Sequence, residues 1–172
     1  MQETSQQYIA RLLGYLGDQD ALKVLSSTPK KIRKLIKGEK KKKLFKKPEP
    51  SKWSVAEIIA HLAETELVMG WRYRSIAEKN EVEIQSFEQD DWAKNSRYEQ
   101  SDVEEMLEMY QVLRKANVKF LKGLPKEKFE NFGMHEERGK ETIAHIMRLE
   151  AGHDLNHFMQ INAILIQKKK KS

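Results

Sequence analysis

Apolar residues recur every three or four positions along most of this chain, a pattern typical of helices that bury one face. The pattern predicts a short helix at residues 4–16 and a second helical segment that begins at Asp20 and ends at Gly38. Three longer helices are predicted at residues 54–79, 101–122 and 140–168. Because the chain has few runs of β-branched residues, strands are not needed to explain the sequence. The predicted fold class is therefore all-α.

Local signals mark the boundaries of these helices. Ser54 and Ser101 are each followed three residues later by a glutamate, which is the spacing of a capping box at a helix N-terminus. Pro29 predicts a new turn inside the second segment, because proline removes a backbone donor. Residues 39–52, with two prolines and many lysines, predict a loop. Residues 80–100 lack periodicity and predict a long connection of the kind that is often functional.

These elements predict a single domain, a four-helix bundle with a short N-terminal helical extension. A length of 172 residues suits one domain and is long enough to bury a core. The predicted boundaries are residues 1–19 for the extension, 20–167 for the bundle and 168–172 for a basic tail.

Composition narrows the chemistry that the chain can support. It has no cysteine, which excludes disulfides, thiolate nucleophiles and cysteine-based metal sites. A transition metal would have to be held by histidine, aspartate or glutamate. No apolar stretch approaches the ~20 residues that cross a bilayer, and the first residues lack a basic and then apolar signal pattern. We therefore expect a soluble, cytoplasmic protein without membrane contact.

The net charge of +6 is concentrated in two segments. Residues 30–47 contain eleven lysines and arginines, residues 168–171 are four lysines, and the rest of the chain carries a net charge of −8. Phe45 is the one aromatic residue interleaved with the lysines between Lys40 and Lys47, although base stacking generally needs aromatic side chains. Nucleic-acid binding through this segment is therefore the weakest of the functions considered, and we expect a solvated loop there.

The last predicted helix carries polar residues on its apolar face. Glu150, Asp154 and His157 fall on the face that should enter the core, and His153 lies beside them. Histidines at positions i and i+4 share a helix face and can reach one metal ion. Buried carboxylates are costly without partners, so the cluster calls for an explanation. Glu150 and Asp154 are therefore candidate catalytic residues, which would orient an imidazole or act as a general base.

A third histidine comes from a different helix. His61 lies at the edge of the apolar face of residues 54–79, and three histidines from two helices would leave positions on a metal open. A single histidine at a helix edge is also explained as a surface or hydrogen-bonded residue. Likewise, Glu66 on the same helix could simply form an ion pair with Arg72 or Arg74. The spacing alone therefore leaves both a metal site and an ordinary polar cluster open.

The remaining histidines do not fit this site. His135 falls in a predicted loop, and His145 lies on the side of the last helix away from the core, so we expect both to be solvated. Trp71 is predicted on the outer face of its helix, where it would lie under the long connection or in a homodimer contact.

Two sequence blocks resemble those of the DinB/YfiT-like superfamily. Residues 52–66, KWSVAEIIAHLAETE, resemble its block W-S-x-x-E-x-x-x-H-L-x-D-x-E, with Glu64 where the family commonly has aspartate. Residues 152–161, GHDLNHFMQI, resemble its second block, H-x-x-x-H followed by Q-I. The order and separation of the blocks match too, and the likeness covers roughly residues 20–167. The resemblance implies an antiparallel four-helix bundle with a long crossover between its second and third helices.

The resemblance also implies a metal site and a class of chemistry. In that family the matched histidines, here His61, His153 and His157, bind a divalent metal ion, commonly nickel or zinc. Relatives include bacillithiol-conjugating thiol transferases and mycothiol-dependent isomerases. A metal-dependent enzyme is therefore implied, a thiol S-transferase or hydrolase that activates a thiol or water and takes a small thiol or electrophile as substrate. A non-catalytic metal-binding bundle, acting as a sensor or scaffold, is the alternative.

Overall fold

Helices dominate the computed structural model, which describes residues 3–167. Within these residues the α-helices are α1 Ser5–Leu16, α2 Ala21–Ile36, α3 Lys41–Leu44, α4 Val55–Glu78, α5 Gln89–Asn95, α6 Val103–Gly123 and α7 Ile143–Gln167. The strands are β1 Val82–Ile84, β2 Phe132–His135 and β3 Gly139–Thr142. The predicted basic tail at residues 168–172 lies outside the described part of the chain.

Four helices, α2, α4, α6 and α7, pack in a ring around a common core. α2 contacts α6 and α7, and α4 contacts the same two helices. The start of α4, at Ile59, clusters with the start of α6, at Leu107. The ends of these two helices cluster through Ile76 and Leu121. α4 and α6 therefore run parallel, and the crossover at residues 79–102 returns the chain to the end of the bundle where α4 begins.

This parallel pair corrects the expectation of an entirely antiparallel bundle. α2 and α6 are antiparallel, because Leu25 near the start of α2 meets Arg114 in the second half of α6. α4 and α7 are also antiparallel, because Tyr73 near the end of α4 bonds Glu150 in the first half of α7. In the order α2, α4, α6 and α7, the helices therefore run up, down, down and up.

A small sheet corrects the prediction of an all-α fold. β1 pairs in parallel with β2, and β2 pairs antiparallel with β3. Strands of 3 or 4 residues are too short to show the alternation from which a strand is predicted. The sheet covers the end of the bundle where α4 ends and α7 begins.

The two predicted capping boxes have different outcomes. The Ser54 hydroxyl accepts the backbone N–H of Glu57, and the Glu57 carboxylate accepts the backbone N–H of Ser54 at 2.7 Å, so the first box is present. At α6 the cap is Asp102 instead of Ser101, and its carboxylate accepts the backbone N–H groups of the next two glutamates. An aspartate satisfies the free donors of a first helical turn as well as serine does.

α2 continues through Pro29, although the sequence analysis expected a new turn there. Proline has no N–H to donate to the carbonyl four residues earlier, so the Leu25 carbonyl in α2 loses its normal helical partner. The expected loop at residues 39–52 also contains α3, a single helical turn that buries Leu44.

The surface agrees with the sequence analysis at some positions and differs at others. Trp71 lies on the outer face of α4 and is 74% exposed. His135 was expected in solvent but is only 3% exposed, because the alternation of β2 turns it inward and exposes Met134. Within residues 3–167, no helix combines the length and apolar character needed to cross a bilayer.

The N-terminal helix α1 packs closely against α7. Its residues Leu12 and Leu16 are buried, and Gly152 of α7 faces the α1 backbone. A methyl group on Gly152 would lie 2.2 Å from the Leu12 carbonyl oxygen, which is far inside van der Waals contact. The absence of a side chain at Gly152 therefore allows the two helices to meet.

We expect Gly152→Ala to lower the stability of the protein by about 1–3 kcal/mol, because α1 must move away from α7. Gly14→Ala on α1 is the matched control, since a methyl group there meets no atom within 4 Å. That variant should be unchanged or more stable by up to about 1 kcal/mol, because alanine is the better helix former. Thermal unfolding followed by circular dichroism measures both effects, and equal melting temperatures would contradict the close contact.

Candidate metal centre

Three histidine side chains converge between α4 and α7. The Nε2 atom of His153 lies 3.1 Å from Nε2 of His61 and 3.0 Å from Nε2 of His157. Metal–nitrogen bonds of about 2.0–2.1 Å place two nitrogens on one ion roughly 3.0–3.4 Å apart, depending on the bond angle. The three histidines therefore have a spacing that suits a single divalent ion.

Local structure explains why these rings meet. His153 and His157 are one turn apart on α7, so they project from the same face. His61 lies in the second turn of α4, which runs antiparallel to α7 and presents this ring to the other two. The indole of Trp53, just before α4, packs against His61 with ring centroids 4.9 Å apart. The rings are thus held by secondary structure and by an aromatic neighbour.

Burial keeps the three imidazoles neutral at neutral pH. Burial, followed by repulsion between the neighbouring rings, holds the pKa values of His61 and His157 well below their usual range. Burial also lowers the pKa of His153 to about 4, and the charge of Arg114 acts in the same direction. A neutral imidazole keeps a lone pair on one ring nitrogen, which is the form that binds a metal.

Gln160 sets the orientation of His157. The Nδ1–H of His157 donates to Oε1 of Gln160 at 3.0 Å, and this places the lone pair of the ring on Nε2, which faces the other histidines. A hydrogen bond of this kind is the usual way in which a protein fixes the tautomer of a metal-binding histidine. The sequence analysis included Gln160 only as part of a family block and assigned no role to it.

A buried polar network centred on Arg114 of α6 lies in the core beside the histidines. Arg114 is 3% exposed and donates to Glu66 of α4 at 2.8 Å and to Asp154 of α7 at 2.5 Å. Two tyrosines complete the network, with the hydroxyl of Tyr110 bonded to Asp154 and that of Tyr73 to Glu150. One guanidinium therefore joins three helices across the core.

The proline in α2 contributes to this network. Nη1 of Arg114 also donates to the Leu25 carbonyl oxygen at 3.0 Å. That carbonyl is the one left without a helical donor by Pro29, four residues later. Arg114 thus satisfies a buried backbone acceptor on α2 in addition to the carboxylates on α4 and α7, which explains how α2 tolerates the proline.

The carboxyl groups of the network differ in protonation. Burial raises the pKa of Glu150 well above its usual range, and the neighbouring Glu66 carboxylate raises it further. Burial acts in the same direction on Glu66, but the charge and hydrogen bonds of Arg114 outweigh it and lower that pKa. The environment therefore favours the neutral form of Glu150 and the ionised form of Glu66. The guanidinium of Arg114, with Nη2 3.1 Å from Oε1 of Glu150, opposes this effect at Glu150 without reversing it.

Two cavities give access to the histidines. The first, of about 330 Å³, is lined by His61 and His153 together with Glu150, Arg72 and residues of α1 such as Tyr8. The second, of about 590 Å³, is lined by His157 and Gln160 on the other side of the cluster. A small molecule entering the first cavity would meet two of the imidazoles and the carboxyl group of Glu150.

The structure places the residues selected from the sequence as follows. The three histidines meet, Glu150 lines the first cavity, and Asp154 is held by Arg114 and Tyr110. Glu66 pairs with Arg114 and not with the arginines of its own helix. The sequence analysis missed Arg114, although this charged residue is in register with the apolar positions of α6 between Leu107 and Leu121.

Comparison with known proteins agrees with this fold. The sequence model of the DinB superfamily matches residues 25–161, so the chain belongs to this superfamily. Among solved structures, it is similar to YfiT from Bacillus subtilis, described as a probable metal-dependent hydrolase with an unusual four-helix bundle topology. The TM-score is 0.81 and the identity 17%, over 87% of this chain and 86% of YfiT, so this likeness shows the fold. No significant match was found among curated protein sequences.

Proposed function

We propose that the chain binds one divalent metal ion, nickel or zinc, through His61, His153 and His157, and acts as a metal-dependent hydrolase or thiol transferase. The observation that carries the proposal is the convergence of three neutral imidazole nitrogens from two helices, with His61 and His153 at the wall of one cavity and His157 at the wall of another. Three protein ligands leave positions open for water or substrate, as catalytic metal sites require. Membership of the DinB superfamily and the description of YfiT as a probable metal-dependent hydrolase support it.

A divalent ion bound there supplies Lewis acidity, which lowers the pKa of a water molecule or thiol in an open position. The residues of the chain provide orientation and proton transfer. Gln160 keeps His157 in the tautomer that faces the site, and the α1 helix excludes bulk water from one side of the cavity. Tyr73 donates to Glu150, so it holds this carboxyl group at the cavity wall.

We propose different roles for the two candidate carboxyl groups. Glu150 lines the cavity and its raised pKa favours the protonated form, so it can donate a proton to a leaving group and take one back at the end of the cycle. Asp154 has both carboxylate oxygens engaged by Arg114 and Tyr110. It is therefore a positioning residue that fixes the turn of α7 between His153 and His157.

Activity with and without metal tests this proposal. We expect metal-loaded protein to conjugate small thiols to monochlorobimane or to hydrolyse an activated ester such as p-nitrophenyl acetate. Chelated protein and His61→Ala should lose this turnover, while helical content is kept because Val55, Ile59 and Leu62 still anchor the start of α4. His145→Ala, on α7 but outside the cluster, is the control and should be active.

Two results would contradict the enzymatic proposal. Rates that are equal with and without metal, or equal in the wild type and His61→Ala, would exclude catalysis at the three histidines. Metal binding without turnover on any thiol or ester would instead favour the alternative of a non-catalytic metal-binding bundle, a sensor or scaffold. In that case the three histidines would bind the ion, but the proposed catalysis would be wrong.

A further inference from the structure

Arg72 of α4 is a buried cation without an acidic partner. Its side chain and backbone together are 5% exposed, and among residues 3–167 no carboxylate lies within ion-pair distance of it. Its one hydrogen bond to the described residues runs from Nη2 to the carbonyl oxygen of Gln85 at 2.6 Å. A guanidinium has five N–H donors, so most of those on Arg72 are free for a ligand.

The location of Arg72 connects it with the histidines. It lines the same cavity of about 330 Å³ as His61 and His153. The other arginine of that cavity, Arg138, is paired with Glu141 through two hydrogen bonds of 2.7 and 3.0 Å. Arg72 is therefore the cationic side chain of this wall that has free donors.

Charge and burial favour an anion at Arg72. Burial, followed by the charge of Arg138, lowers the pKa of Arg72 to about 10, so the side chain remains charged at neutral pH. A buried charge without a counter-ion is unfavourable unless a ligand or water satisfies it. Of the acidic residues that line the cavity, Glu3 is paired with Arg11, and Glu150 belongs to the Arg114 network. Glu141 is paired with Arg138, and its charge offsets only part of the effect of burial and of Arg138 on Arg72. Glu88 and Glu137 are exposed and screened by solvent.

We propose that Arg72 forms an anion-binding subsite in this cavity, and that the substrate carries a carboxylate or phosphate group that Arg72 receives. The guanidinium plane matches both groups, because two parallel N–H donors can bond two oxygens of one anion. An anionic substrate at Arg72 rests on the proposed function, in which the substrate reaches the histidines through this cavity. The subsite itself can be measured without catalysis.

A purely structural role for Arg72 makes a different prediction. Arg72 also anchors the crossover, through the Gln85 carbonyl and through the ring of Phe87, whose centroid lies 5.9 Å from the guanidinium carbon. If anchoring were its entire role, substitution would change stability but not the preference for anions. The discriminating measurement is therefore binding of a charged probe compared with an uncharged analogue.

The experiment titrates metal-free and zinc-loaded protein with succinate, inorganic phosphate and the uncharged analogue succinamide. We expect succinate or phosphate to shift the NMR resonance of the Arg72 Nε–H group and to bind wild type about 10- to 100-fold more tightly than Arg72→Gln. Succinamide should bind neither protein. Arg148→Gln is the control, because Arg148 is exposed and does not line the cavity, and it should bind like wild type. The anion that binds more tightly, succinate or phosphate, identifies the group that the subsite prefers.

Each outcome separates this inference from the metal proposal. Anion binding at Arg72 in a protein that takes up no zinc would support the subsite and contradict the metal site. Zinc binding without an Arg72 shift, or equal anion affinity in wild type and folded Arg72→Gln, would overturn the subsite alone. If Arg72→Gln does not fold, the resonance shift in wild type decides, and Arg72→Lys should bind the anion more weakly because lysine lacks the two parallel donors.

Discussion

Replacing His153 by alanine is expected to abolish binding of a divalent ion, with the affinity reduced by at least about 100-fold. His153 is the central member of the cluster, because its Nε2 lies 3.0–3.1 Å from the Nε2 atoms of both other histidines. Removing residues that merely support a ligand already costs about 10- to 100-fold in metal affinity, so removing a ligand costs more. Elemental analysis and calorimetry on protein without a histidine tag should give about one ion per wild-type chain and none for the variant.

The matched control for this experiment is His145→Ala. His145 lies on the same helix, two turns before His153, and it does not belong to the cluster. Its replacement should leave one ion per chain, which excludes a general effect of losing a histidine from α7. Wild-type protein that stays metal-free after dialysis against nickel, zinc and manganese, with no binding in calorimetry, would contradict the metal site itself.

The histidine cluster was accessible from the sequence because most of its geometry is local. His153 and His157 are four residues apart, and this spacing determines that they share a helix face wherever the helix packs. His61 required more, because its meeting with the pair depends on the direction and register of α4 against α7. The periodicity of the sequence did not show whether His61 meets the pair on α7. The resemblance of residues 52–66 to a family block predicted that it does.

The Arg114 network was not predicted because each of its contacts depends on tertiary structure. Its carboxylate partners, Glu66 and Asp154, lie 48 and 40 residues away in sequence, and its backbone acceptor at Leu25 lies 89 residues away. The free carbonyl of Leu25 could not be predicted either, because Pro29 suggested a break in α2 and not a continuous helix with one unpaired carbonyl. A charged residue at an apolar position of α6 was the available signal.

The sheet was not predicted either, because the pairing of its strands also depends on tertiary structure. β1 has three residues, and the strand beside it in the sheet, β2, begins about 50 residues later in the chain. A strand of this length shows no periodicity of its own, and its pairing partner is set only when the bundle has formed. The sheet also explains the error at His135, because a residue expected in a loop was placed in β2 and turned inward.

Replacing Arg114 by methionine is expected to destabilise the protein by about 3–5 kcal/mol at neutral pH, because it leaves buried carboxylates without their cation. For a domain of this size, that loss lowers the melting temperature by roughly 6–20 °C. Methionine fills much of the volume of the arginine stem, so the effect reports mainly the lost charge and hydrogen bonds. Thermal unfolding of metal-free protein measures it without interference from a bound ion.

The pH dependence of this variant distinguishes lost charge from lost packing. In wild type, Arg114 lowers the pKa of Glu66, so the stability that this pair contributes is present at neutral pH and is lost as the pH falls through the folded-state pKa. Without Arg114, burial raises the pKa of Glu66 above its unfolded value, so the folded state binds more protons and gains stability as the pH falls. The difference in melting temperature between wild type and Arg114→Met should therefore shrink between pH 7 and about pH 5.

The control is Arg33→Ala, which removes an exposed ion pair with Glu104 and should cost only about 0–1 kcal/mol at both pH values. A difference for Arg114→Met that stays constant with pH would show that packing, and not the charge of the guanidinium, holds α4, α6 and α7 together at this point.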